Sequence, residues 1–209
     1  MIRPPGFSGA AFGDAADGDG RHDPAVRAAL AARHGIPLGW AWSRQVHGAR
    51  VLPTAAPGPR GEGDALYTAT RGLALAVATA DCVPVVIEGP DVAAVVHAGW
   101  RGAAAGIGAA ALAAIRAAGL HPERAALGPA IGPCCYEVGE EVRDRFPRHL
   151  ARTRAGTPAV DLPAAVAEQM AGLAVWRSGR CTRCDESLHS HRRDGTARRQ
   201  TAVAWLPPG

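Results

Sequence analysis

The sequence predicts an α+β fold in which strands and helices are mixed. Short apolar runs at residues 73–80 and 92–97 are typical of buried strands, and the Ala-rich run 103–118, which ends at Gly119, predicts a helix. These elements do not follow a regular strand–helix–strand rhythm, which favours α+β over a doubly wound sheet. With 209 residues, 47% of them hydrophobic, the chain can bury a core. We therefore expect a single domain over residues 1–209.

In the first third of the chain, loops separate one helix and one strand. Residues 1–24 are rich in Gly and Asp and predict a loop that is partly mobile. Residues 24–34 have helical character, which stops at Gly35. Residues 40–46 predict a strand that leads to His47. Residues 53–63 contain three Pro and three Gly and predict a second loop.

The last part of the chain alternates predicted strands and helices. Residues 125–130 and 200–206 predict strands, and residues 138–150 predict a helix with charges on one face. A further helix is expected to begin after Asp161, with Asp161 as the N-cap and Pro163 in the first turn.

Composition excludes several classes of function. Every basic residue is Arg, so lysine Schiff bases and P-loop lysines are ruled out. A net charge of +4 and an aromatic content of 5% do not predict nucleic-acid binding. We expect no membrane span and no signal peptide, and therefore a cytoplasmic protein. The odd count of 5 Cys favours reduced thiols over a disulfide framework.

Three separated residues form a candidate metal site. His47, Cys82 and His97 each lie at or just after the end of a predicted strand or strand-flanking segment. Two imidazoles and one thiolate suit Zn²⁺, and three protein ligands leave a fourth position open, as in catalytic zinc sites. From spacing alone, a buried structural thiol at Cys82 and a loop histidine at His47 stay open as alternatives.

Several sequence strings give a more specific indication. The chain is similar to the bacterial YfiH-like family, whose members are described as polyphenol oxidases (laccase domain), purine nucleoside phosphorylases and peptidoglycan editing factors. The strings that carry the resemblance include HAGWRG and IGPCCYEVG, and they lie at residues 45–48, 79–84, 97–102, 128–139 and 190–195.

The resemblance implies a fold, a cofactor and a reaction. The fold would be a four-layer α/β/β/α sandwich with mixed β-sheets, and Zn²⁺ would be bound by His47, Cys82 and His97. The implied reaction is phosphorolysis of adenosine, inosine or methylthioadenosine to the base and ribose 1-phosphate, with adenosine deamination beside it. The partners would be a purine nucleoside and phosphate, with no nucleic acid or membrane, and the protein would be a monomer or homodimer.

We assign expected roles around this metal set. Asp81 is a candidate proton carrier, with a turn cap or an orienting carboxylate as the alternative. Arg101 stands at the start of a predicted helix, where free N–H groups also favour an anion. For both Arg101 and the other arginines, a solvated or salt-bridged side chain is the alternative. The catalytic set is Asp81, Cys82 and Arg101, and the substrate-binding set is Arg44, Gln45, Trp100, Arg192 and Arg193.

Other functions are kept open. Cys82 could act as a nucleophile with His97 as its base in a hydrolase that edits cell-wall precursors. Because residues 7–30 depart from the family pattern, a zinc-bearing binding protein without activity is another alternative. Copper oxidation is disfavoured, because the chain has 8 His and one His-x-His pair, His189 and His191.

The remaining cysteines receive structural predictions. Cys134 and Cys135 follow a predicted turn, and packing is favoured over a redox pair or a pocket wall. Cys181 and Cys184 form a lone CxxC motif. Because one pair cannot complete a four-ligand zinc site, we expect a structural role for it.

Overall fold

The computed structural model describes residues 1–208, in which the strands form two large mixed sheets and one small hairpin. The strands in chain order are β1 (Ala10–Phe12), β2 (Trp40–Arg44), β3 (Val51–Pro53), β4 (Gly58–Glu62), β5 (Ala65–Thr68), β6 (Ala74–Thr79), β7 (Val83–Glu88), β8 (Ala93–Ala98), β9 (Arg124–Leu127), β10 (Leu150–Arg152), β11 (Pro158–Val160), β12 (Ala174–Arg177) and β13 (Gln200–Trp205). The helices are α1 (Pro24–His34), α2 (Trp100–Ala104), α3 (Ile107–Ala117), α4 (Glu140–Arg143), α5 (Leu162–Glu168) and α6 (His191–Asp194), with a 3-10 turn at Pro147–His149.

Both large sheets mix parallel and antiparallel pairs. The first has the order β1-β13-β6-β2-β4; β13 is antiparallel to β1 and β6, and β2 is parallel to β6 and β4. The second has the order β12-β9-β7-β8-β5-β3, with its two outer pairs parallel and the inner pairs antiparallel. The α+β prediction is therefore confirmed.

The two sheets pack face to face, and helices cover their outer faces. Alternation along β6 shows this: Leu75 and Val77 join the core between the sheets, whereas Ala74 and Ala76 face Leu30 of α1. On the other side, α2, α3 and α5 pack against the second sheet. Central strands buried on both faces explain the continuous apolar runs in the sequence. The four-layer α/β/β/α arrangement is thus confirmed.

Several elements match the sequence prediction closely. The helix predicted at 24–34 is α1, which Asp23 caps and Gly35 ends in the left-handed conformation. The predicted strands at 73–80, 92–97 and 200–206 are β6, β8 and β13. Asp161 caps α5 as expected, and its side chain accepts from the backbone N–H of Ala164.

Other predictions are wrong. The loop expected over residues 1–24 contains β1, whose Phe12 is buried between the sheets. The loop expected at 53–63 contains β4. The helix expected at 103–118 begins earlier and breaks into α2 and α3 at Gly106, which has a φ of 77°. The helix expected at 138–150 is reduced to α4 and a 3-10 turn.

A short connection and a strand end place Cys82 and His97. Residues 80–82 join β6 of the first sheet directly to β7 of the second, so Cys82 lies where the chain crosses between the sheets. On β8, His97 shares the face of Val95, which packs between the sheets. Among residues 1–208, no helix is long and apolar enough to cross a membrane.

Candidate metal centre and cavity

The structure brings His47, Cys82 and His97 together at one end of the two sheets. One ligand atom from each side chain lies within 4.8 Å of the other two. The Cys82 Sγ is 3.9 Å from the His47 Nε2, and the two imidazole rings stand nearly perpendicular, with centroids 4.8 Å apart. The predicted three-residue set is therefore a group that could hold a metal ion.

A buried carboxylate, Asp64, orients two of the three ligands. Its side chain is fully buried, and Oδ1 lies 2.8 Å from the Nδ1 of His97. The same carboxylate accepts hydrogen bonds from the backbone N–H groups of Val46, His47 and Gly48 at 2.8–3.2 Å. Because Nδ1 of His97 is engaged by Asp64, its Nε2 is the nitrogen left for a metal. A carboxylate behind a ligating imidazole is the usual support of zinc sites.

The protonation states follow from these contacts. Burial raises the pKa of the Cys82 thiol, but hydrogen bonds from His47 and His97 lower that pKa to about 6. Burial opposes the charged form of His97, yet its hydrogen bonds to Asp64 and Cys82 raise its pKa to about 9. Burial also opposes the charge on Asp64, but His97 and the backbone N–H groups hold its pKa below the ordinary value. In the absence of a metal, both shifts favour a thiolate at Cys82 beside an imidazolium at His97.

The backbone around the site adopts unusual conformations. Within residues 1–208, the non-glycine residues with positive φ are His47 (59°) and Asp81 (93°). Both adjoin or belong to the ligand set, where strained backbone is typical of functional sites. Gly99 is also constrained: a Cβ there would lie 2.7 Å from the His47 ring and 3.2 Å from the Cys82 Sγ. A side chain at position 99 would therefore displace the ligands.

The ligands form the floor of a cavity of about 800 Å³. Of the predicted substrate-binding residues, Arg44 and Gln45 line this cavity. Arg44 is ion-paired with Glu62. The side-chain amide of Gln45 donates to the Ala78 carbonyl and accepts from the Ala78 N–H. The walls also include residues that the sequence analysis did not select: Arg21, His22, Trp42, Thr79, His191 and Arg199.

Five predicted residues do not line the cavity: Asp81, Trp100, Arg101, Arg192 and Arg193. Trp100 packs against the core on the helix side of the second sheet, and the exposed Arg101 lies over its ring. Arg192 donates to the carbonyl of Glu137. These positions favour packing over substrate binding for Trp100, and the solvated alternative for the exposed Arg101 and Arg192.

Asp81 and Arg193 are anchoring residues in this geometry. The Asp81 Oδ1 accepts from the Thr182 hydroxyl at 2.6 Å, and Oδ2 accepts from the Arg192 backbone N–H at 2.7 Å. The Arg193 guanidinium donates to the carbonyls of Thr182 and Leu188, and it pairs with Asp194. This favours the orienting alternative for Asp81 and the salt-bridged alternative for Arg193.

The sequence indicated only weakly three residues that the structure places at the candidate site, namely Asp64, Arg21 and His22. Asp64 is an acid at the start of a short apolar strand, where a charge needs a partner, but its partners lie far away in sequence. Arg21 and His22 stand directly before the N-cap of α1, in a segment predicted to be a loop. The structure nevertheless places both at the cavity wall.

The second group of cysteines corrects a sequence-based argument. Cys181 and Cys184 are not a lone pair, because Cys134 and Cys135 lie beside them, and all four Sγ atoms are within 4.8 Å of one another. The premise that this CxxC motif stands alone is therefore wrong.

Comparisons with known proteins agree on one family. The profile of the multi-copper polyphenol oxidoreductase laccases matches residues 4–207. A Streptomyces griseus protein named purine nucleoside phosphorylase is 42% identical over 96% of this chain and 90% of its own length. A Mycobacterium tuberculosis protein of the same name is 39% identical over 98% and 88%. YlmD from Geobacillus stearothermophilus superposes with a TM-score of 0.84 at 31% identity, covering 97% of this chain and 94% of that one.

The first prediction concerns the space at Gly99. Gly99→Ala should lower metal content and metal affinity, because its Cβ would collide with the His47 ring. Gly139→Ala is the matched control: Gly139 also precedes a helix, in extended backbone, and a Cβ at this position would meet nothing within 4 Å. Metal per chain is measured by inductively coupled plasma mass spectrometry. Equal metal content in both variants would contradict the tight fit.

The second prediction concerns Asp64. Asp64→Asn should weaken metal binding by about 10- to 100-fold, since it removes the carboxylate that orients His97 and holds the His47 loop. Asp91→Asn is the control, because Asp91 makes an equally short 2.8 Å contact with His121 on the surface. Chelator competition measures both affinities. Wild-type affinity in Asp64→Asn would show that the carboxylate does not support the metal.

Proposed function

Because this chain belongs to the multi-copper polyphenol oxidoreductase laccase family, whose curated members include proteins named purine nucleoside phosphorylase, we propose that it is a zinc-dependent purine nucleoside phosphorylase. Its substrates would be adenosine, inosine and methylthioadenosine, with phosphate as co-substrate, and adenosine deamination would be a second activity. The observation that carries the proposal is the His47–Cys82–His97 cluster on the floor of a cavity of about 800 Å³. A cavity of this size accommodates a small-molecule substrate.

The donor set fits zinc. Two imidazoles and one thiolate suit Zn²⁺, and the Asp64 carboxylate behind His97 completes the usual support. One thiolate with two imidazoles also occurs in blue-copper sites, which add an axial Met, Gln or backbone oxygen. Neither Met1 nor Met170 lines the cavity, and the side-chain amide of Gln45, which does, is already bonded to Arg21 and Ala78. When bound, zinc would supply Lewis-acid chemistry at the open end of the ligand set.

The walls supply groups for a nucleoside and an anion. The Trp42 indole offers an aromatic surface for a purine, with His22 against it edge-on at 5.9 Å. Arg199 contacts backbone carbonyls of Thr196 and Arg198 through Nη1, which leaves the rest of its guanidinium for phosphate. Arg21 is paired with Asp19 and serves better to position Gln45.

Phosphorolysis requires a defined exchange of bonds. A phosphate oxygen forms a bond to C1′ of the ribose while the C1′–N9 bond breaks, and the purine leaves with the electron pair. The base must then gain a proton. His22 and His191 are cavity imidazoles outside the metal ligand set and can supply it. Asp81 in this proposal positions the Cys82 segment through Thr182 and Arg192 and carries no proton.

The test of the function is adenosine turnover with and without phosphate, resolved by chromatography of adenine, inosine and hypoxanthine. We expect adenine only with phosphate, and its loss in His97→Ala. His121→Ala is the control, since His121 is exposed and paired with Asp91. Turnover unchanged in His97→Ala would contradict the assigned site. Retained metal without turnover of any purine nucleoside would overturn the phosphorylase and leave the binding-protein alternative.

The proximity of the Cys82 thiol to the His97 imidazole favours the hydrolase alternative, since their ligand atoms lie within 4.8 Å of each other. The contact lowers the pKa of Cys82 and raises that of His97, which favours the thiolate that a cysteine nucleophile needs. In that case, removing zinc would raise activity rather than abolish it. Turnover of muropeptide substrates by the chelated protein, lost in Cys82→Ser, would support this alternative over the phosphorylase.

A further inference from the structure

Four cysteine thiols from two distant segments converge away from the cavity. Cys134 and Cys135 follow β9, whereas Cys181 and Cys184 follow β12. The Cys184 Sγ is 3.3 Å from the Cys135 Sγ and 3.7 Å from the Cys134 Sγ. All four sulfur atoms lie within 4.8 Å of one another. The group shares no residue with the His47–Cys82–His97 set.

The spacing of the sulfurs suits one shared metal ion. Zinc binds thiolates at about 2.3 Å, so the edges of a ZnS₄ tetrahedron measure about 3.8 Å. Two sulfur–sulfur separations, 3.3 and 3.7 Å, are slightly shorter than that edge, and every other pair of these sulfurs lies within 4.8 Å. Tetrahedral sites of four sulfurs are typical of structural zinc and of iron bound by cysteines.

The backbone holds the two segments in this arrangement. Ala130 and Cys181 form a parallel bridge, and the Thr182 N–H donates to the Ala130 carbonyl at 3.0 Å. The Gly132 N–H points at the Cys181 Sγ, 3.3 Å away, a bond that stabilises a thiolate. A turn joins Cys181 and Cys184, because the Cys184 N–H donates to the Cys181 carbonyl.

Simple packing does not account for the group. Cys135 is buried in the core, but Cys184 is exposed to solvent, and Cys134 and Cys181 are half-buried. A disulfide would use two of the thiols and leave the other two beside it. A single tetrahedral ion uses all four.

We propose that Cys134, Cys135, Cys181 and Cys184 bind a structural Zn²⁺ ion. Four Zn–S bonds form, and the four thiol protons pass to solvent. The net negative charge of such a site has a cation beside it in sequence, because Arg183 lies within the CxxC turn.

The ion would fix the C-terminal segment against the cavity loop. The turn between Cys181 and Cys184 carries Thr182, whose hydroxyl donates to Asp81 at 2.6 Å. Asp81, with its φ of 93°, directly precedes the ligand Cys82. Four metal–sulfur bonds therefore clamp the turn that holds the strained residue in place.

The test is metal stoichiometry in reciprocal variants. Reduced wild-type protein that has met no chelator should hold about two zinc ions per chain, since each ligand set binds one. Cys181→Ser/Cys184→Ser and His47→Ala/His97→Ala should each hold about one, and each variant serves as the control for the other. Because the metal count needs no substrate, failure of this proposal and failure of the phosphorylase proposal are distinguishable.

A spectroscopic measurement covers the case in which the cysteine variant does not fold. Cobalt(II) loaded into His47→Ala/His97→Ala, which keeps all four thiols, should show the sulfur-to-cobalt charge transfer and visible bands of a tetrahedral thiolate site. Their absence would overturn the proposal, as would iron in place of zinc. So would fewer than five free thiols after denaturation with chelator, which would indicate a disulfide.

Discussion

The buried carboxylate of Asp64 is the group on which the arrangement of the candidate metal centre depends. It accepts hydrogen bonds from three consecutive backbone N–H groups of the His47 loop and from the ring of His97. That loop leaves the first sheet after β2, whereas His97 lies on β8 of the second sheet. A buried charge is costly unless it is fully hydrogen-bonded. Here the same bonds that offset this cost set the distance between two ligands from different sheets.

Cys82, the third residue of the set, is positioned by the unusual backbone conformation of Asp81 and by close packing against Gly99. Cys82 lies on a three-residue connection between the sheets, and the preceding Asp81 has a positive φ. Such a conformation costs on the order of 1–3 kcal/mol and persists where the surrounding structure fixes it. The hydrogen bonds from Thr182 and Arg192 to the Asp81 carboxylate do so here. Gly99 then allows the His47 ring and the Cys82 sulfur to approach the start of α2.

The sequence predicts elements whose periodicity is strong and misses those whose residues contradict their conformation. The strands β6 and β8 lie in the middle of sheets and are buried on both faces, so their apolar runs are unmistakable. By contrast, β4 contains Gly58 and Pro59, which indicate loops, yet the edge of a sheet tolerates them. Residue types at strand ends made His47, Cys82 and His97 a candidate metal set, and the resemblance to a family made that prediction specific. The role of Asp64 and the meeting of the two cysteine segments could not be predicted, because only the folded chain shows which distant residues meet.

One segment, from Cys181 to Arg193, connects the two proposed metal sites. It carries two of the four cysteines and contacts Asp81, which precedes Cys82. The Arg193 guanidinium donates to the backbone carbonyls of Thr182 and Leu188 and pairs with Asp194. The Thr182 hydroxyl donates to the Asp81 carboxylate. Of the arginines that line the cavity, Arg21 and Arg44 are paired with acids, whereas Arg199 contacts only neutral backbone carbonyls. Under the proposed function, Arg199 is therefore our candidate for holding phosphate, and it follows the same segment towards β13.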